Sequence, residues 1–224
     1  MVNMILLALL SYLAGSVPFG LIIGKVIKGI DLRNHGSGNI GATNAWRVLG
    51  KGWGLVCLLL DALKGLLPVA FFPPIFFAAS DPQFPHAFVV AGIATIIGHM
   101  FPCWLGFRGG KGVATSLGVL MILSPYGVLL AAALFFVTLG IWRYVSLSSM
   151  IAAIGYGGYE LCRHLPAPFG PTSWSQSIFA IMIPLLIIIR HRANIGRLLR
   201  GEESKLGSKR VSQQDAVTQA TIVK

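Results

Sequence analysis

The sequence has few charged residues and few cysteines, and both shortages limit what the protein can be. Only 11% of its 224 residues are charged while 55% are hydrophobic, and the mean hydropathy is +0.76. Soluble domains carry about 25% charged residues, so this composition excludes an ordinary soluble fold and favours a membrane protein. Cys57, Cys103 and Cys162 are scattered, so these cysteines predict neither a metal-ligand spacing nor a disulfide framework. No cofactor is expected.

Uncharged runs long enough to cross a bilayer recur along the chain. The run 4–24 contains no charged residue and is followed by Lys25 and Lys28, so its basic flank lies on the wrong side for a cleaved signal peptide. Further apolar runs are 53–79, 87–101, 112–123, 125–142, 144–159 and 174–189. The stretch 112–142 allows one kinked helix or two helices broken at Ser124-Pro125. The pattern predicts an all-α polytopic membrane protein with seven transmembrane helices.

The distribution of basic residues predicts the orientation of these helices. Net charge is +11, and the positive-inside rule accounts for it without nucleic acid as a partner. Seven spans with the N-terminus outside and the C-terminus cytoplasmic place 16 of the 18 Lys and Arg residues on one face, all except Lys64 and Arg163. We expect one membrane domain, residues 1–203, and a polar, disordered cytoplasmic tail, residues 204–224.

The first polar segment is 36–47, which begins with G-x-G-x-x-G. No strand precedes it, so a dinucleotide fold is excluded, but glycine N–H groups and hydroxyl and amide donors suit a phosphate. Arg47 can form a two-pronged contact with that phosphate. The alternative is an ordinary loop in which Ser37 caps a helix and Arg47 sets the topology. The candidate residues are Ser37, Gly38, Asn39, Gly41, Thr43, Asn44 and Arg47.

The second segment, 98–115, places glycines and two cations directly before an apolar helix. It does not have the Walker A spacing, but a helix N-terminus with glycine donors favours an anion. The alternative is a tight turn flanked by snorkelling cations, with His99 as a helix-end hydrogen bonder. The candidate residues are His99, Arg108, Gly109, Gly110, Lys111 and Gly112.

The third segment, 190–202, is strongly basic. On a single helix, His191 and Asn194 would share one face, as would Arg190 and Arg197. The alternative is a basic collar against anionic lipid headgroups. Within the second span, Asp61 and Lys64 are three residues apart, which predicts an internal ion pair.

Together the stretches GSGNIGATNAWRVLGK, GHMFPCWLGFRGGKGVATSLG and RHRANIGRLLRGEE resemble the three motifs of the bacterial acyl-phosphate:glycerol-3-phosphate acyltransferases. The resemblance implies seven membrane helices in a bacterial inner membrane, with the active site facing the cytoplasm. It implies acyl transfer from acyl phosphate to glycerol 3-phosphate, which forms lysophosphatidic acid, without metal or acyl-CoA. None of the five histidines has an aspartate five positions later, the spacing of acyl-CoA-type enzymes.

The resemblance also implies residue roles. Ser37, Arg47, Lys111, His191 and Asn194 correspond to catalytic positions, the remaining candidates named above bind substrate, and Glu202 is structural. The expected partners are the two substrates and membrane lipid, and the oligomeric state is left open. The alternatives from other classes are a carrier or channel for phosphate-bearing anions and a membrane-anchored interaction protein.

The predicted orientation can be tested with a membrane-impermeant thiol reagent on intact cells. We expect Pro82→Cys to be labelled above the background of the unsubstituted chain, because Pro82 lies in an outward loop. Ser204→Cys should be labelled only after permeabilisation. Labelling of both variants from outside would contradict the seven-span orientation.

Overall fold

The structure, a computed structural model, describes residues 1–207, and within this range all regular secondary structure is helical, without strands. Two short 3-10 turns cover Leu32–Asn34 and Cys103–Leu105. The α-helices are α1 (Val2–Gly15), α2 (Phe19–Lys28), α3 (Ala42–Leu49), α4 (Lys51–Phe71), α5 (Pro73–Phe76), α6 (Phe84–Met100), α7 (Val113–Leu123), α8 (Pro125–Trp142), α9 (Val145–Arg163), α10 (Trp174–Arg190) and α11 (Arg192–Leu199).

Several of these helices can cross a bilayer, which confirms the predicted multi-pass membrane class. In residues 1–207, four helical stretches are long and apolar enough, namely Val2–Lys28, Lys51–Phe76, Phe84–Leu105 and Pro125–Trp142. A fifth is added if α10 and α11, which meet at a bend of 58°, form one span. The α7 helix has only 11 residues, and α9 carries serines and Glu160. The count of seven spans therefore stays a prediction.

Prolines divide two of the predicted apolar runs. The helix α7 ends at Leu123 and α8 begins at Pro125, so the stretch 112–142 is two helices. The run 4–24, predicted as one span, also consists of two helices, because α1 ends at Gly15 and α2 begins after Pro18. Proline has no N–H for the helical ladder and disfavours helix in the residue before it, which accounts for both breaks.

Close packing between α4 and α7 fixes the position of the N-terminal end of α7. A Cβ atom on Gly65 of α4 would overlap the backbone oxygen of Thr115, and one on Gly118 of α7 would overlap that of Ala62. Only glycine lets the two backbones approach this closely. The first turn of α7 is thereby held against α4.

The predicted ion pair within the second span is confirmed. Lys64 Nζ lies 2.8 Å from Asp61 Oδ1, and both side chains are almost fully buried. Lys64 Nζ also donates a hydrogen bond to the carbonyl of Val17, at 2.7 Å. The pair therefore joins α4 to the break between α1 and α2, and mutual compensation makes the two buried charges tolerable.

Candidate active site

All three polar segments meet at one cavity of about 370 Å³. Four helices begin at this cavity. The N-cap residues or first turns of α3, α7, α9 and α11 all contribute to its lining. The first N–H groups of a helix have no partner inside it and carry partial positive charge, so four such ends make the cavity favourable for anions. Its polar lining includes Ser37, Asn39, Thr43, Asn44, Arg47, His99, Lys111, His191, Asn194 and Glu203.

In the first segment, Asn44 organises the loop that surrounds it. Its Nδ2 donates to the carbonyls of Leu32, His35 and Asn39 at 3.2, 3.0 and 2.8 Å. Its Oδ1 accepts from the N–H of Ser37 at 2.8 Å. The side-chain amide of Asn44 is already bonded to the backbone of the loop, so the role of Asn44 is to hold this segment in position. The alternative of Ser37 as a helix cap is wrong, since the N-cap of α3 is Gly41 and Ser37 lines the cavity instead.

In the second segment, glycines let the loop lie directly on His99. The N–H groups of Gly109 and Gly110 donate to the carbonyls of Met100 and His99, both at 3.1 Å. A Cβ on Gly110 would overlap the His99 ring, and Gly112, the N-cap of α7, has φ +83°. This arrangement turns Lys111 and the start of α7 towards the cavity.

Lys111 is the partly buried cation of the cavity. Its Nζ donates to Asn194 Oδ1 at 2.6 Å. Burial, together with the nearby cations Arg197, Arg47 and Arg190, lowers the pKa of Lys111 to about 8, and Glu203 opposes part of this shift. The side chain therefore changes charge close to physiological pH.

In the third segment, the bend between α10 and α11 separates residues predicted to share a helix. His191 is the N-cap of α11 and Asn194 lies in its first turn, and both line the cavity. The Nδ1 atom of His191 lies 2.8 Å from the carbonyl of Ile187, which can only accept, so Nδ1 carries a proton. The predicted common face of Arg190 and Arg197 is wrong, because Arg190 ends α10 and Arg197 belongs to α11.

Glu203 is the principal residue of the cavity that the sequence did not reveal. Its carboxylate accepts hydrogen bonds from Asn194 Nδ2 at 2.6 Å, Ser146 Oγ at 2.7 Å and Arg197 Nε at 2.7 Å. Burial alone would raise the pKa of Glu203, but these three donors hold it below its usual value. Its neighbour Glu202, expected to be structural, lies on the surface and pairs with Arg200. Because the two glutamates are adjacent, nothing in the sequence indicates which of them lies in the cavity.

The chain after α11 returns to the mouth of the cavity. Arg47 donates to the carbonyl of Ser204 at 3.4 Å. Leu206 lines the cavity, and its N–H donates a hydrogen bond to the carbonyl of Arg143 at 2.7 Å. In return, Arg143 Nη2 donates to the carbonyl of Leu206 at 2.9 Å. Residues 204–207, assigned to the tail from the sequence, thus contact the site. The rest of the predicted disordered tail, 208–224, lies outside the described residues.

Three predicted substrate-binding residues line a different cavity, namely Gly38, Arg108 and Gly109. Gly110 lines neither cavity, and its carbonyl accepts a hydrogen bond from Arg190.

No cluster of His, Cys, Asp and Glu that could hold a metal ion occurs in residues 1–207. The cavity where the three segments meet, called the reaction cavity below, also has apolar lining residues on α4 and α8, namely Leu55, Leu58, Phe135, Phe136 and Leu139.

Comparison with known proteins places this arrangement in a family. Residues 5–201 match the family described as glycerol-3-phosphate acyltransferase. The chain belongs to that family. A glycerol-3-phosphate acyltransferase of Desulforudis audaxviator (strain MP104C) is 44% identical over 198 residues, which cover 88% of this chain and 92% of the relative. One of Listeria monocytogenes serotype 4a (strain HCC23) is 44% identical over 205 residues, which cover 92% and 98%.

The family also has solved structures that this fold resembles. The glycerol 3-phosphate form of PlsY, an integral membrane glycerol 3-phosphate acyltransferase, superposes with a TM-score of 0.79 at 40% identity, covering 91% of this chain and 96% of that one. Its lysophosphatidic acid form gives 0.77 at 39% identity, covering 91% and 95%. The family assignment made from the three motifs is confirmed.

The contacts of Glu203 predict a difference between two adjacent glutamates. Glu203→Ala leaves Asn194, Ser146 and Arg197 without their acceptor and should lower the free energy of unfolding by about 1–3 kcal/mol. The matched control Glu202→Ala removes only an exposed ion pair and should change it by less than about 0.5 kcal/mol. Chemical unfolding in detergent measures both, and equal effects would mean that Glu203 does not hold the site together.

Proposed function

We propose that this protein transfers a fatty acyl group from acyl phosphate to glycerol 3-phosphate, forming lysophosphatidic acid and phosphate. The observation that carries the proposal is one cavity lined by Arg47, Lys111, the N-terminal residues of four helices and apolar side chains of α4 and α8. Such a cavity suits a transfer between two phosphate-bearing molecules, one of which carries a fatty chain. The relatives named glycerol-3-phosphate acyltransferase support the acceptor and the reaction class.

The chemistry needs no covalent intermediate with the enzyme. Acyl phosphate is a mixed anhydride with a good leaving group, so a hydroxyl oxygen of glycerol 3-phosphate attacks its carbonyl carbon directly. The bond between that carbon and the phosphate oxygen breaks as the new ester bond forms. Arg47, Lys111 and the N–H groups at the helix ends stabilise charge that moves onto the leaving phosphate. Holding both anions in one cavity removes much of the entropic cost of their encounter.

The remaining polar residues position the acceptor. Ser37 and Thr43 supply hydroxyl groups from the first segment, and His191 and Asn194 lie across the cavity near Lys111. We assign His191 to hydrogen bonding and not to proton abstraction. The proton of the attacking hydroxyl passes to the departing phosphate oxygen, which gains negative charge as the carbonyl bond breaks.

The apolar side chains of α4 and α8 would receive the acyl chain. Leu55 and Leu58 of α4 face the cavity together with Phe135, Phe136 and Leu139 of α8. Phe136 is 67% exposed on the outer surface of the helices. A chain lying between α4 and α8 would therefore stay in contact with the membrane interior, the surroundings that an alkyl chain prefers.

The proposal includes the membrane arrangement expected from the charges. We propose seven spans formed by residues 1–203, with the N-terminus outside and residues 204–224 as a tail on the cytoplasmic side of a bacterial inner membrane. The cavity would then face the cytoplasm, because the segments that form it also carry the basic residues. Water-soluble glycerol 3-phosphate would enter from that side.

The reaction can be tested with purified protein in detergent. Radiolabelled glycerol 3-phosphate and acyl phosphate should give labelled lysophosphatidic acid without a membrane gradient, and acyl-CoA should not replace acyl phosphate. A carrier or channel would form no product under these conditions, so absence of lysophosphatidic acid with folded protein would contradict the proposal.

The two cations should matter to turnover. Arg47→Ala or Lys111→Ala should lower kcat by about 100-fold or more, the usual loss when a transition-state donor is removed. Arg47→Lys should restore activity only in part, because an ammonium cannot make a planar two-pronged contact. Arg192→Ala is the matched control, since this exposed arginine lines neither cavity. Near-normal kcat in either cavity variant would mean that these cations only set topology.

The lowered pKa of Lys111 predicts an alkaline limb in the pH profile. Lysine is charged below its pKa, so the cavity loses this cation as the pH rises through about 8. We expect kcat/KM for glycerol 3-phosphate to fall above that pH, after subtraction of non-enzymatic hydrolysis of acyl phosphate. A profile that stays flat to a pH near the ordinary pKa of lysine, about 10.4, would contradict this role.

A further inference from the structure

A second cavity, of about 300 Å³, lies beside the reaction cavity and contains three arginines. Its lining consists of Arg33, Gly38, Ile40, Arg108, Gly109 and Arg190. The same three chain segments supply both cavities. Ser37 and Asn39 line the reaction cavity, whereas Gly38 between them lines the second cavity. Likewise, His191 lines the reaction cavity and its neighbour Arg190 lines the second. Adjacent residues of the same segments therefore line different cavities, so the two cavities are close neighbours.

The three guanidinium groups keep donors available for a ligand. Arg190 donates to the carbonyls of Gly110 at 3.1 Å and Gly109 at 2.6 Å, which fixes its plane at the cavity wall. Arg33 pairs with Asp31 at 2.6 Å. A guanidinium has five N–H groups, so both arginines have donors left after these contacts. Arg108 is exposed, and within residues 1–207 no carboxylate lies within ion-pair distance of it.

The charge of this cavity is not compensated by the protein. Asp31 is the carboxylate that pairs with one of the three arginines, and hydrogen bonds from Arg33 lower its pKa to about 2, so it stays ionised. The three arginines and Asp31 together leave a net charge of +2, which can balance the negative charge of a phosphate group. The N–H groups of Gly38 and Gly109 already donate to backbone carbonyls. Recognition would therefore come from the guanidinium groups, whose fork geometry fits phosphate oxygens.

The turn that carries Arg108 also exposes large aromatic side chains. Trp104 and Phe107 are 61% and 60% exposed, and Phe107 is held at φ +62°. Exposed aromatic residues beside a cation are typical of the headgroup region of a membrane. This position would bring the second cavity within reach of both lipid headgroups and dissolved anions.

We propose that this cavity is a second anion site, which binds a phosphate group through Arg33, Arg108 and Arg190 and is separate from the reaction cavity. The phosphate group belongs either to an anionic phospholipid or to free phosphate. The site does not depend on acyl transfer, so it can be tested whether or not the proposed reaction takes place.

The first test measures binding of radiolabelled inorganic phosphate by equilibrium dialysis, with the full chain in phosphatidylcholine nanodiscs. The double variant Arg47→Ala/Lys111→Ala weakens the reaction cavity and should still bind phosphate. Adding Arg108→Gln should then weaken the remaining binding by about tenfold or more, the scale of one lost charged hydrogen-bonding partner. The control adds Arg192→Gln instead, an exposed arginine that lines neither cavity and acts on Arg190 only through its charge. This change should weaken phosphate binding much less than Arg108→Gln does.

A second arm identifies the source of the phosphate group. Nanodiscs that contain phosphatidylglycerol are compared with discs of equal charge that contain oleate, which has no phosphate. If a headgroup occupies the site, phosphatidylglycerol should lower the Arg108-dependent phosphate affinity more than oleate does. Equal effects of the two lipids assign the site to free phosphate. Loss of all phosphate binding in the Arg47→Ala/Lys111→Ala variant, or equal losses with Arg108→Gln and Arg192→Gln, would overturn the proposal.

Discussion

Positive potential gathered at one cavity is the feature on which the rest of the structure depends. The helices α3, α7, α9 and α11 all begin there, and Arg47 and Lys111 add full charges. Each helix end acts as a partial positive charge that the fold holds in place. Glu203 compensates part of this charge while it fixes Asn194 and Arg197. Two phosphate-bearing molecules repel each other in water, and a cavity of this kind offsets that repulsion without having to rearrange.

Close backbone packing keeps these charges in position. The contacts of Gly65 and Gly118 hold α7 against α4, and the buried pair of Asp61 and Lys64 ties α4 to the break after α1. Asn44 uses its whole side-chain amide to shape the first segment. The glycines and Asn44 contribute by fixing backbone geometry, so substitutions there would disturb the cavity without removing a charged group from it. Asp61 also lines the cavity, so its substitution would change the charge there as well.

The sequence predicted which segments form the site better than it predicted their geometry. Glycine content, cations and apolar flanks identified all three segments, and their candidate catalytic residues meet at one cavity. Periodicity could not show the bend at His191, so Arg190 and Arg197 were placed on one face although they belong to different helices. Local sequence also could not separate Gly38, Arg108 and Gly109 from the reaction cavity, since residues adjacent in sequence line different cavities. Glu203 was missed because its partners come from α9 and α11.

In the proposed reaction one cavity holds both reactants, and a structure of the complex tests this most directly. The full chain should be solved with glycerol 3-phosphate and an acyl phosphonate, which cannot transfer its acyl group. We expect both phosphorus-containing groups in the cavity of Arg47 and Lys111, the alkyl chain between α4 and α8, and a glycerol hydroxyl facing the carbonyl carbon. Glycerol 3-phosphate bound instead only at Arg33, Arg108 and Arg190, away from the phosphonate, would contradict the account.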